Sequence, residues 1–239
     1  MNMKVPDRTL SIVIPAYNEA DRIEETLKAV RTMVQRLSER AGQLTTEVIV
    51  VDDGSCDGTA KRAQPLADRV IQHPYRKGKG AALKTGLSFA KGHILLFCDA
   101  DVGQSAATFW SLVVPVLNDE ADLTIASPPS DPAGGFGLVR KFAALLVRLW
   151  TGRTLAMPLS GQRAVKREVL AIIPLADGYA VETAMTISAL QAGFRLLEVP
   201  LPVTHRRLGR TPAGFLHRAR QLWDIIRWVL PYFLLRRRK

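Results

Sequence analysis

The chain has 239 residues, of which 47% are hydrophobic and 23% are charged. This composition is ordinary for a globular protein and excludes a mostly disordered chain, and the length suits one α/β domain with a sizeable core. The formal net charge of +11 favours an anionic partner, whether a nucleic acid, a phosphorylated ligand or an anionic membrane. Much of that charge lies at the end, where residues 203–239 contain ten Lys and Arg but one acid.

The cysteines and the N-terminus predict a cytoplasmic protein. Cys56 and Cys98 form no CxxC pair, which favours reduced thiols. Residues 1–9 lack the apolar core of a signal peptide, and no window approaches the roughly 20 apolar residues of a spanning helix. Any contact with a membrane is therefore expected to be peripheral, on its cytoplasmic face.

Apolar, β-branched runs alternate with helical patterns through the first half of the chain. Strands are predicted at 10–14, 47–51, 69–71, 93–98 and 123–126, and helices at 19–40, just after Gly58, at 80–91 and at 105–118. The helix at 19–40 carries a single apolar face, made of Ile23, Leu27, Val30, Val34 and Leu37. Such alternation predicts a mostly parallel sheet with helices on both faces.

The second half is less regular. A Pro/Gly loop at 128–137 precedes predicted helices at 138–150 and 181–192, a strand at 194–199 and a basic loop at 206–214. The last predicted helix, 215–235, is interrupted by Pro231 and is followed by four cations. We expect a catalytic domain over 1–212 and a basic, amphipathic segment over 213–239.

Three polar motifs directly follow three of the predicted strands. They are residues 15–19 (PAYNE), 52–55 (DDGS) and 99–101 (DAD). Each motif alone is more typical of a turn or a helix cap. Because the carboxyl ends of parallel strands meet at one edge, where open sheets bind ligands, their joint placement predicts a functional site.

Asp99 and Asp101 repel each other unless a cation lies near them. Hard carboxylate oxygens suit Mg²⁺ or Mn²⁺, which also bind diphosphates, so the pair is a candidate metal site. The ion would act as a Lewis acid towards a departing nucleoside diphosphate. A dinucleotide-binding Rossmann domain is disfavoured, because the turn after the first strand contains no glycine.

As an ordered set, these motifs resemble those of family 2 glycosyltransferases, in particular the dolichyl-phosphate glucose and mannose synthases and their bacterial polyprenyl-phosphate relatives. The resemblance runs from about Leu10 to Thr211 and includes residues 76–82 (RKGKGAA) and 160–163 (SGQR). It implies a GT-A fold, a Rossmann-like sheet with helices on both faces, here followed by a C-terminal amphipathic helix. It also implies an inverting transfer of a hexose from a UDP- or GDP-sugar with Mg²⁺ or Mn²⁺.

The resemblance also implies roles for individual residues. Donor binding falls to Pro15, Ala16, Tyr17, Glu19, Val51, Asp53, Lys79, Asp99, Ala100 and Asp101. Among these, Asp99 and Asp101 are the implied metal ligands, with Asp101 also assigned to catalysis. Arg140 and Arg206 resemble phosphate-binding arginines of the family.

Four positions depart from the family pattern. Thr211 and Pro212 replace a serine and a lysine, which removes one expected phosphate contact, and Met157 replaces a common acid. Gly103 offers no side-chain metal ligand of the kind often found in mannose-type relatives, so glucose is slightly favoured over mannose as the sugar.

The proposed nucleophile determines which residues are needed at the acceptor. A phosphate monoester is largely dianionic at neutral pH, so it requires cations for placement but no general base. The candidate cations are Arg140, Arg163, Arg206, Arg207 and Arg210. A hydroxyl acceptor would need a carboxylate base, for which Glu182 is the candidate; an N-terminal helix acid favoured by the dipole is an equally good interpretation.

The C-terminal segment predicts peripheral attachment to an anionic membrane. Its apolar and aromatic residues are crowded together but interrupted by charges: Leu222, Trp223, Ile225, Ile226, Trp228, Val229, Leu230, Tyr232, Phe233 and Leu234. Such a segment suits the lipid interface, although a core helix with a basic tail is the alternative. Attachment through an integral-membrane partner is also possible.

Two alternatives to a polyprenyl-phosphate acceptor remain open. One is a glycosyltransferase that acts on a soluble acceptor, either a phosphorylated small molecule or a sugar hydroxyl. The other is a non-catalytic nucleic-acid-binding protein, which the charge alone suggests; we expect no nucleic-acid partner, because the acidic motif edge would repel a phosphate backbone.

Overall fold

A computed structural model describes residues 9–42, 44–127, 137–173, 175–176, 178–203, 219 and 222–227 of the chain. Within these ranges the strands are β1 (Thr9–Ala16), β2 (Thr45–Asp52), β3 (Arg69–Gln72), β4 (Ile94–Phe97), β5 (Leu123–Ser127), β6 (Arg163–Lys166) and β7 (Leu196–Pro200). The α-helices are α1 (Ile23–Ala41), α2 (Thr59–Ala63), α3 (Lys79–Phe89), α4 (Trp110–Leu117), α5 (Gly137–Thr151), α6 (Arg167–Ile172) and α7 (Val181–Gln191). Short 3₁₀ helices span Gly103–Thr108 and Gly178–Ala180.

The strands form one sheet in the order β3-β2-β1-β4-β6-β5-β7. All neighbours pair in parallel except β6, which runs antiparallel to both β4 and β5. The predicted mostly parallel sheet is therefore confirmed. Strand β6 was not predicted, because only two apolar residues separate Arg163 from Lys166 and no alternating pattern can develop over so short a run.

The sheet has an apolar core on each face. Successive residues of β1 point to opposite faces, so Ile12 and Ile14 lie in one core and Val13 in the other. Helix α1 covers the first core with the predicted face, to which Met33 is added, and Val34 is only partly buried. Burying each large aliphatic side chain contributes about 1.5–3 kcal/mol, so the two cores dominate the stability of the domain.

Two predicted helices differ from the observed ones. The helix expected at 105–118 is divided into the 3₁₀ helix Gly103–Thr108 and α4, which contains Pro115. Helix α3 ends at Phe89, before the glycine that was expected to stop it. Gly92 has a packing role instead, because a Cβ there would lie 2.4 Å from the backbone nitrogen of Ser11 in β1.

The described part of the C-terminal segment packs on the second core. Residues 222–227 are helical, Ile225 is fully buried and Leu222 packs against the same core, while Trp223 is exposed. This part of the predicted interfacial helix is thus also a core helix on one side. The predicted aromatic and basic residues at 228–239 lie outside the described residues. No helix of the described ranges is both long and apolar enough to cross a membrane.

A network of ion pairs ties the three strands β5, β6 and β7 together at the amino end of β5. The carboxylate of Asp122 accepts hydrogen bonds from Arg195 Nη2 at 2.9 Å and from Lys166 Nζ at 2.6 Å, and Asp119 pairs with the same two cations. Arg195, with help from Lys166, holds the pKa of Asp122 well below its usual range, although burial opposes this shift. Only 8% of Asp122 is exposed, so this network is a structural clasp remote from the carboxyl edge.

We expect Asp122→Asn to lower the free energy of unfolding by about 2 kcal/mol at pH 7, because it leaves the largely buried Lys166 and the half-exposed Arg195 without their buried carboxylate partner. Because the pKa of Asp122 is lowered in the folded state, its contribution is complete above about pH 4 and falls as the pH drops further. The difference between wild type and variant should therefore begin to shrink as the pH falls below about 4 in urea titrations, and it should go on shrinking toward the lowered pKa of the folded state. The matched control is Asp119→Asn, which removes an exposed partner of the same cations and should cost less. Equal losses in the two variants would contradict the clasp assigned to Asp122.

Candidate functional site

The carboxyl edge of the sheet brings the predicted motifs together. Strands β1 and β2 end side by side, with Ala16 paired to Asp52. The segment after β4 continues alongside them, and Cys98 N donates to Val13 O at 3.2 Å. Because β6 is antiparallel, it begins at this same edge, where Arg163 is paired with Phe97. Residues 15–19, 52–55, 99–101 and 160–163 thus line one rim.

Asn18 joins the loops after β1 and β2 into a single wall. Its backbone nitrogen donates to Ser55 Oγ at 2.9 Å, and its side-chain oxygen accepts from Cys56 N at 3.1 Å. Its φ of 54° is in the left-handed region, which asparagine tolerates better than most residues. Glu19 N adds a third link by donating to Thr59 Oγ1 at 2.9 Å. Tyr17 stands on this wall with 36% of its surface exposed.

Asp53 anchors the loop that precedes α3. Its Oδ1 accepts from Lys77 N at 2.8 Å and lies 2.7 Å from His73 Nδ1, and its Oδ2 accepts from Gly78 N at 2.7 Å. Since Asp53 is buried and both its oxygens have partners in the loop, its first role in this structure is to shape the rim. Its predicted contact with the nucleoside stays a prediction.

The anchored loop brings Arg76 over the ring of Tyr17. The guanidinium carbon lies 4.2 Å from the ring centroid, a cation–π contact. The backbone at Tyr75 and Arg76 also packs directly on Gly54, where a Cβ would come within 2.7 Å of the carbonyl carbon of Tyr75. With φ at +76°, Gly54 needs to be glycine for its conformation as well.

Asp99 lies at the centre of the rim, where it contacts Lys79 and Gln162. Its Oδ1 is 2.7 Å from Lys79 Nζ, and its Oδ2 accepts from Gln162 Nε2 at 2.8 Å. Lys79 also contacts Glu182 Oε1 at 2.7 Å, so one ammonium group joins the end of β4 to the first turn of α7. Asp101 is partly exposed beside this group.

Burial and charge oppose each other at Lys79. Burial by itself would lower its pKa, but attraction to Asp99 and Glu182 outweighs burial and raises the pKa above its usual value. Lys79 is therefore cationic at neutral pH. Nearby, burial and the charges of Asp99 and Asp101 raise the pKa of the Cys98 thiol well above its usual value, which disfavours the reactive thiolate.

Gly161 permits the close packing around Asp99. A Cβ at this position would lie 2.6 Å from Asp99 Oδ2 and 2.7 Å from Lys79 Nζ. Any side chain here would push into the polar group. The backbone of residues 160–162 therefore forms one wall of the site.

Several predicted donor-binding side chains do not face the rim. Val51 is fully buried in a core, and Ala16 and Ala100 belong to the core on the opposite face of the sheet. The carbonyl of Ala100 accepts from Thr26 Oγ1 at 2.8 Å, which fixes the turn that carries Asp99 and Asp101. These residues can meet a ligand only through their backbone, and their predicted contacts with the donor stay predictions.

The geometry argues against Arg163 as a phosphate ligand, the role that was predicted for it. Only 1% of Arg163 is exposed, and its guanidinium donates to backbone carbonyls and a threonine hydroxyl inside the protein. Arg140, by contrast, is half-buried near the start of α5. Arg206, Arg207 and Arg210 lie outside the described residues.

Sequence reasoning missed three residues that shape the site: His73, Gly161 and Gln162. His73 follows β3 at the same edge as the other motifs, so its position after a strand was a usable signal. Gly161 and Gln162 lie within the recognised SGQR motif, but their contact with Asp99 depends on the unpredicted strand β6.

The donor set fits a hard divalent cation that is shared with a ligand. Within the described ranges, no group of three or more His, Cys, Asp or Glu side chains is placed to hold a metal ion. Asp99 and Asp101 supply carboxylate oxygens only, and Mg²⁺ commonly takes one or two carboxylates and completes its shell with water and phosphate oxygens. The residues present fit such an ion only together with a phosphorylated ligand.

Comparison with known proteins assigns this arrangement to a family. The model of the family described as Glycosyl transferase family 2 matches residues 11–171. Glucosyl-3-phosphoglycerate synthase of Mycobacterium tuberculosis is 34% identical over 203 residues, which are 75% of this chain and 60% of that protein. The chain thus spans about 60% of the length of that relative. Polyprenol monophosphomannose synthase of Mycolicibacterium smegmatis is 30% identical over 242 residues, covering 93% of this chain and 88% of that protein.

Solved structures agree with this assignment. A crystal structure of the M. tuberculosis glucosyl-3-phosphoglycerate synthase with Mn²⁺, UDP-glucose and phosphoglyceric acid has a TM-score of 0.73 at 30% identity, over 92% of this chain and 79% of that chain. Its complex with Mg²⁺ and UDP has a TM-score of 0.74 at 31% identity, over 92% of this chain and 78% of that one. The expected GT-A fold is confirmed. The chain belongs to glycosyl transferase family 2.

Proposed function

We propose that this protein transfers a hexosyl group from a nucleoside-diphosphate sugar to a polyprenyl phosphate at the cytoplasmic face of a membrane. The observation that carries the proposal is the rim geometry, in which Asp99 and Asp101 lie at the end of β4 beside the wall that bears Tyr17. A carboxylate pair at this position suits a cation-bound diphosphate, and the neighbouring aromatic ring suits a nucleoside.

The donor occupies the rim between the loops after β1, β2 and β4. The residues proposed to hold it are Pro15, Ala16, Tyr17, Glu19, Val51, Asp53, Lys79, Asp99, Ala100 and Asp101, of which Val51, Ala16 and Ala100 act through their backbone. A relative crystallised with UDP and with UDP-glucose supports a uridine nucleotide. Gly103 has no side chain to offer a metal, unlike many mannose-type relatives, which supports glucose over mannose.

Asp99 and Asp101 would hold Mg²⁺ or Mn²⁺, as the donor set allows. When bound, the ion supplies Lewis acidity that neutralises charge on the leaving diphosphate. Lys79 adds a fixed positive charge to the same region, because its ammonium is held by Asp99 and Glu182. This ammonium is in place before the donor arrives, so little reorganisation of its charge is needed during reaction.

A phosphate acceptor makes a general base unnecessary. Its oxygen is already largely anionic at neutral pH and attacks the anomeric carbon while the sugar–diphosphate bond breaks. Arg140, Arg206 and Arg207 are the proposed acceptor-binding cations. Glu182 is almost fully buried, and its Oε1 is paired with Lys79, which supports a role in holding that ammonium rather than in collecting a proton from a hydroxyl.

Helix α5 supports a membrane-facing acceptor. It contains no acidic residue, and its outer face exposes Leu145 (50%) and Leu149 (61%) together with Lys141 and Arg148. Exposed leucines between cations are typical of helices that lie on anionic bilayers. The match with polyprenol monophosphomannose synthase over 93% of this chain and 88% of that protein supports the same acceptor class.

A soluble phosphorylated acceptor is the second candidate. It is favoured by the 34% identity with glucosyl-3-phosphoglycerate synthase, which has been crystallised with phosphoglyceric acid. Both acceptors carry a phosphate, but they differ in whether a lipid chain must be accommodated and in whether a phosphate oxygen or a hydroxyl oxygen attacks the sugar.

Donor and acceptor are tested together with radiolabelled UDP-glucose, GDP-mannose and related donors, in the presence of Mn²⁺ or Mg²⁺. Each donor is offered polyprenyl phosphate or 3-phosphoglycerate. We expect label from a UDP-sugar to enter the organic phase with polyprenyl phosphate. Label transferred only to 3-phosphoglycerate in the aqueous phase would replace the lipid acceptor with the soluble one, and no transfer to either would refute the proposed function.

Asp101→Asn should lower kcat by about 100-fold or more, because an amide cannot neutralise the bound cation as a carboxylate does. Circular dichroism should show an unchanged fold. Glu120→Gln, which alters an exposed acid at the opposite edge of the sheet, serves as the control and should leave kcat unaltered. Normal turnover by Asp101→Asn would exclude this residue from the metal site.

Membrane attachment through α5 is tested by sedimentation with vesicles of phosphatidylglycerol and phosphatidylcholine. The double variant Leu145→Gln/Leu149→Gln should bind about fivefold less, or weaker still, since two leucines no longer enter the interface. Ile172→Gln is the control, because Ile172 is equally exposed (66%) but lies on α6 at the opposite edge. If the double variant sediments with the vesicles as well as the wild type and the Ile172→Gln control do, α5 does not contact the membrane.

A further inference from the structure

Arg163 is a buried cation that donates hydrogen bonds to neutral groups inside the protein. Its Nε donates to Ser160 O at 3.0 Å, and Nη2 donates to the same carbonyl at 2.5 Å. Its Nη1 donates to Glu182 O at 3.0 Å and to Thr186 Oγ1 at 3.2 Å. One guanidinium therefore links the loop before β6 to the first turns of α7.

Both segments that Arg163 links contain a residue that contacts Asp99 or Lys79. The carbonyl of Ser160 immediately precedes Gly161, whose backbone packs on Asp99, and Gln162, whose amide donates to Asp99 at 2.8 Å. The carbonyl of Glu182 belongs to the residue whose carboxylate contacts Lys79 at 2.7 Å. A shift of either segment would move a direct neighbour of Asp99 or Lys79.

A simple need to fill space does not explain an arginine here. Burying a charge is expensive, and an apolar side chain of similar volume would often be as stable or more so. The guanidinium differs from such a side chain in offering five donors in a rigid planar fork, which can hold two separate carbonyls at once. Burial lowers the pKa of Arg163 to about 10, against the attraction of Glu182 and Asp99, so the fork stays charged at neutral pH.

We propose that Arg163 is a positioning residue, which holds the 158–162 loop and the first turn of α7 so that Gln162 and Glu182 are set against Asp99 and Lys79. The contribution of Arg163 to sugar transfer rests on the proposed function. Its role in holding the two segments in place does not. Arg163 touches neither donor nor acceptor; it acts through the two segments that it joins.

Arg167 provides a matched control within the same chain. It too donates from its guanidinium to two backbone carbonyls, Gly92 O at 2.8 Å and Ala90 O at 2.7 Å. Those carbonyls precede β4 and therefore lie at the opposite edge of the sheet. Arg163→Met and Arg167→Met thus remove similar hydrogen bonds, near the site in one case and far from it in the other.

The test compares the steady-state kinetics and thermal unfolding of the two variants with Mn²⁺ and UDP-glucose. Both variants should melt earlier than the wild type. Only Arg163→Met should lower kcat, by about 10- to 100-fold, as is typical when a group that orients a ligand-binding side chain is removed, with a smaller change in the KM of the donor. Equal kcat values for the two methionine variants would overturn the proposal.

The variant Arg163→Lys distinguishes the effect of the positive charge from that of the planar guanidinium geometry. It also replaces Arg163→Met if the methionine variant does not fold. Lysine keeps the positive charge but lacks the planar fork, so we expect kcat to remain below one tenth of the wild-type value, on the order of the methionine variant. Full rescue by lysine would assign the effect to charge alone and refute the positioning role.

Amide hydrogen exchange tests whether Arg163 holds these two segments, and the measurement does not require enzymatic activity. Peptides that cover residues 158–162 and 180–186 should exchange faster in Arg163→Met than in the wild type, whereas Arg167→Met should leave them unchanged. A wild-type protein that transfers no sugar would refute the proposed function, and exchange would still decide the positioning. Unaltered exchange in Arg163→Met would overturn it.

Discussion

The candidate site depends on one ion-pair arrangement, in which the ammonium of Lys79 lies between the carboxylates of Asp99 and Glu182. Three structural units meet through it: the end of β4, the start of α3 and the first turn of α7. Charged groups that are so little exposed need oppositely charged partners, because each of them alone would carry a large desolvation cost. The polar centre of the rim is therefore also a structural joint.

That joint explains why so much of the surrounding backbone is held by side chains. Asp53 fixes the loop that leads into α3 and so determines where Lys79 begins its helix. Arg163 fixes the loop before β6 and the start of α7. Neither residue needs to contact a ligand to matter, since an error of about 1 Å in the charges around a leaving group can cost orders of magnitude in rate.

The antiparallel strand β6 brings residues 160–162 to the carboxyl edge, where they line the site. In a purely parallel sheet, the strand beside β4 would bring its carboxyl end to the rim and its amino end to the opposite edge. Because β6 is reversed, the residues that precede it, Gly161 and Gln162, reach Asp99 instead. The same reversal brings Lys166 to the opposite edge, where it joins the ion-pair clasp with Asp122.

Membrane association and acceptor choice depend on the layer outside this joint. Helix α7 is buried along most of its length and lies between the polar centre and α5. Helix α5 in turn buries Ala143, Leu146 and Val147 while exposing Leu145 and Leu149. Under the proposed function, a bilayer that contacts α5 would lie one helix away from Glu182, which is a suitable distance for an acceptor whose phosphate must reach the rim and whose chain must remain in lipid.

The sequence by itself determined the sheet, its strand–helix alternation and the location of the motifs, because runs such as 10–14 and 47–51 are long, β-branched and bounded by turn residues. It also determined that the residues after β1, β2 and β4 share one edge, since parallel strands leave no other arrangement. Only the tertiary structure decided the direction of β6, whose two apolar residues carry no periodic signal. It likewise decided that Arg163 is internal while Arg140 is only half-buried. Two arginines look alike in sequence, and only the folded chain determines whether backbone carbonyls or solvent surround each guanidinium group.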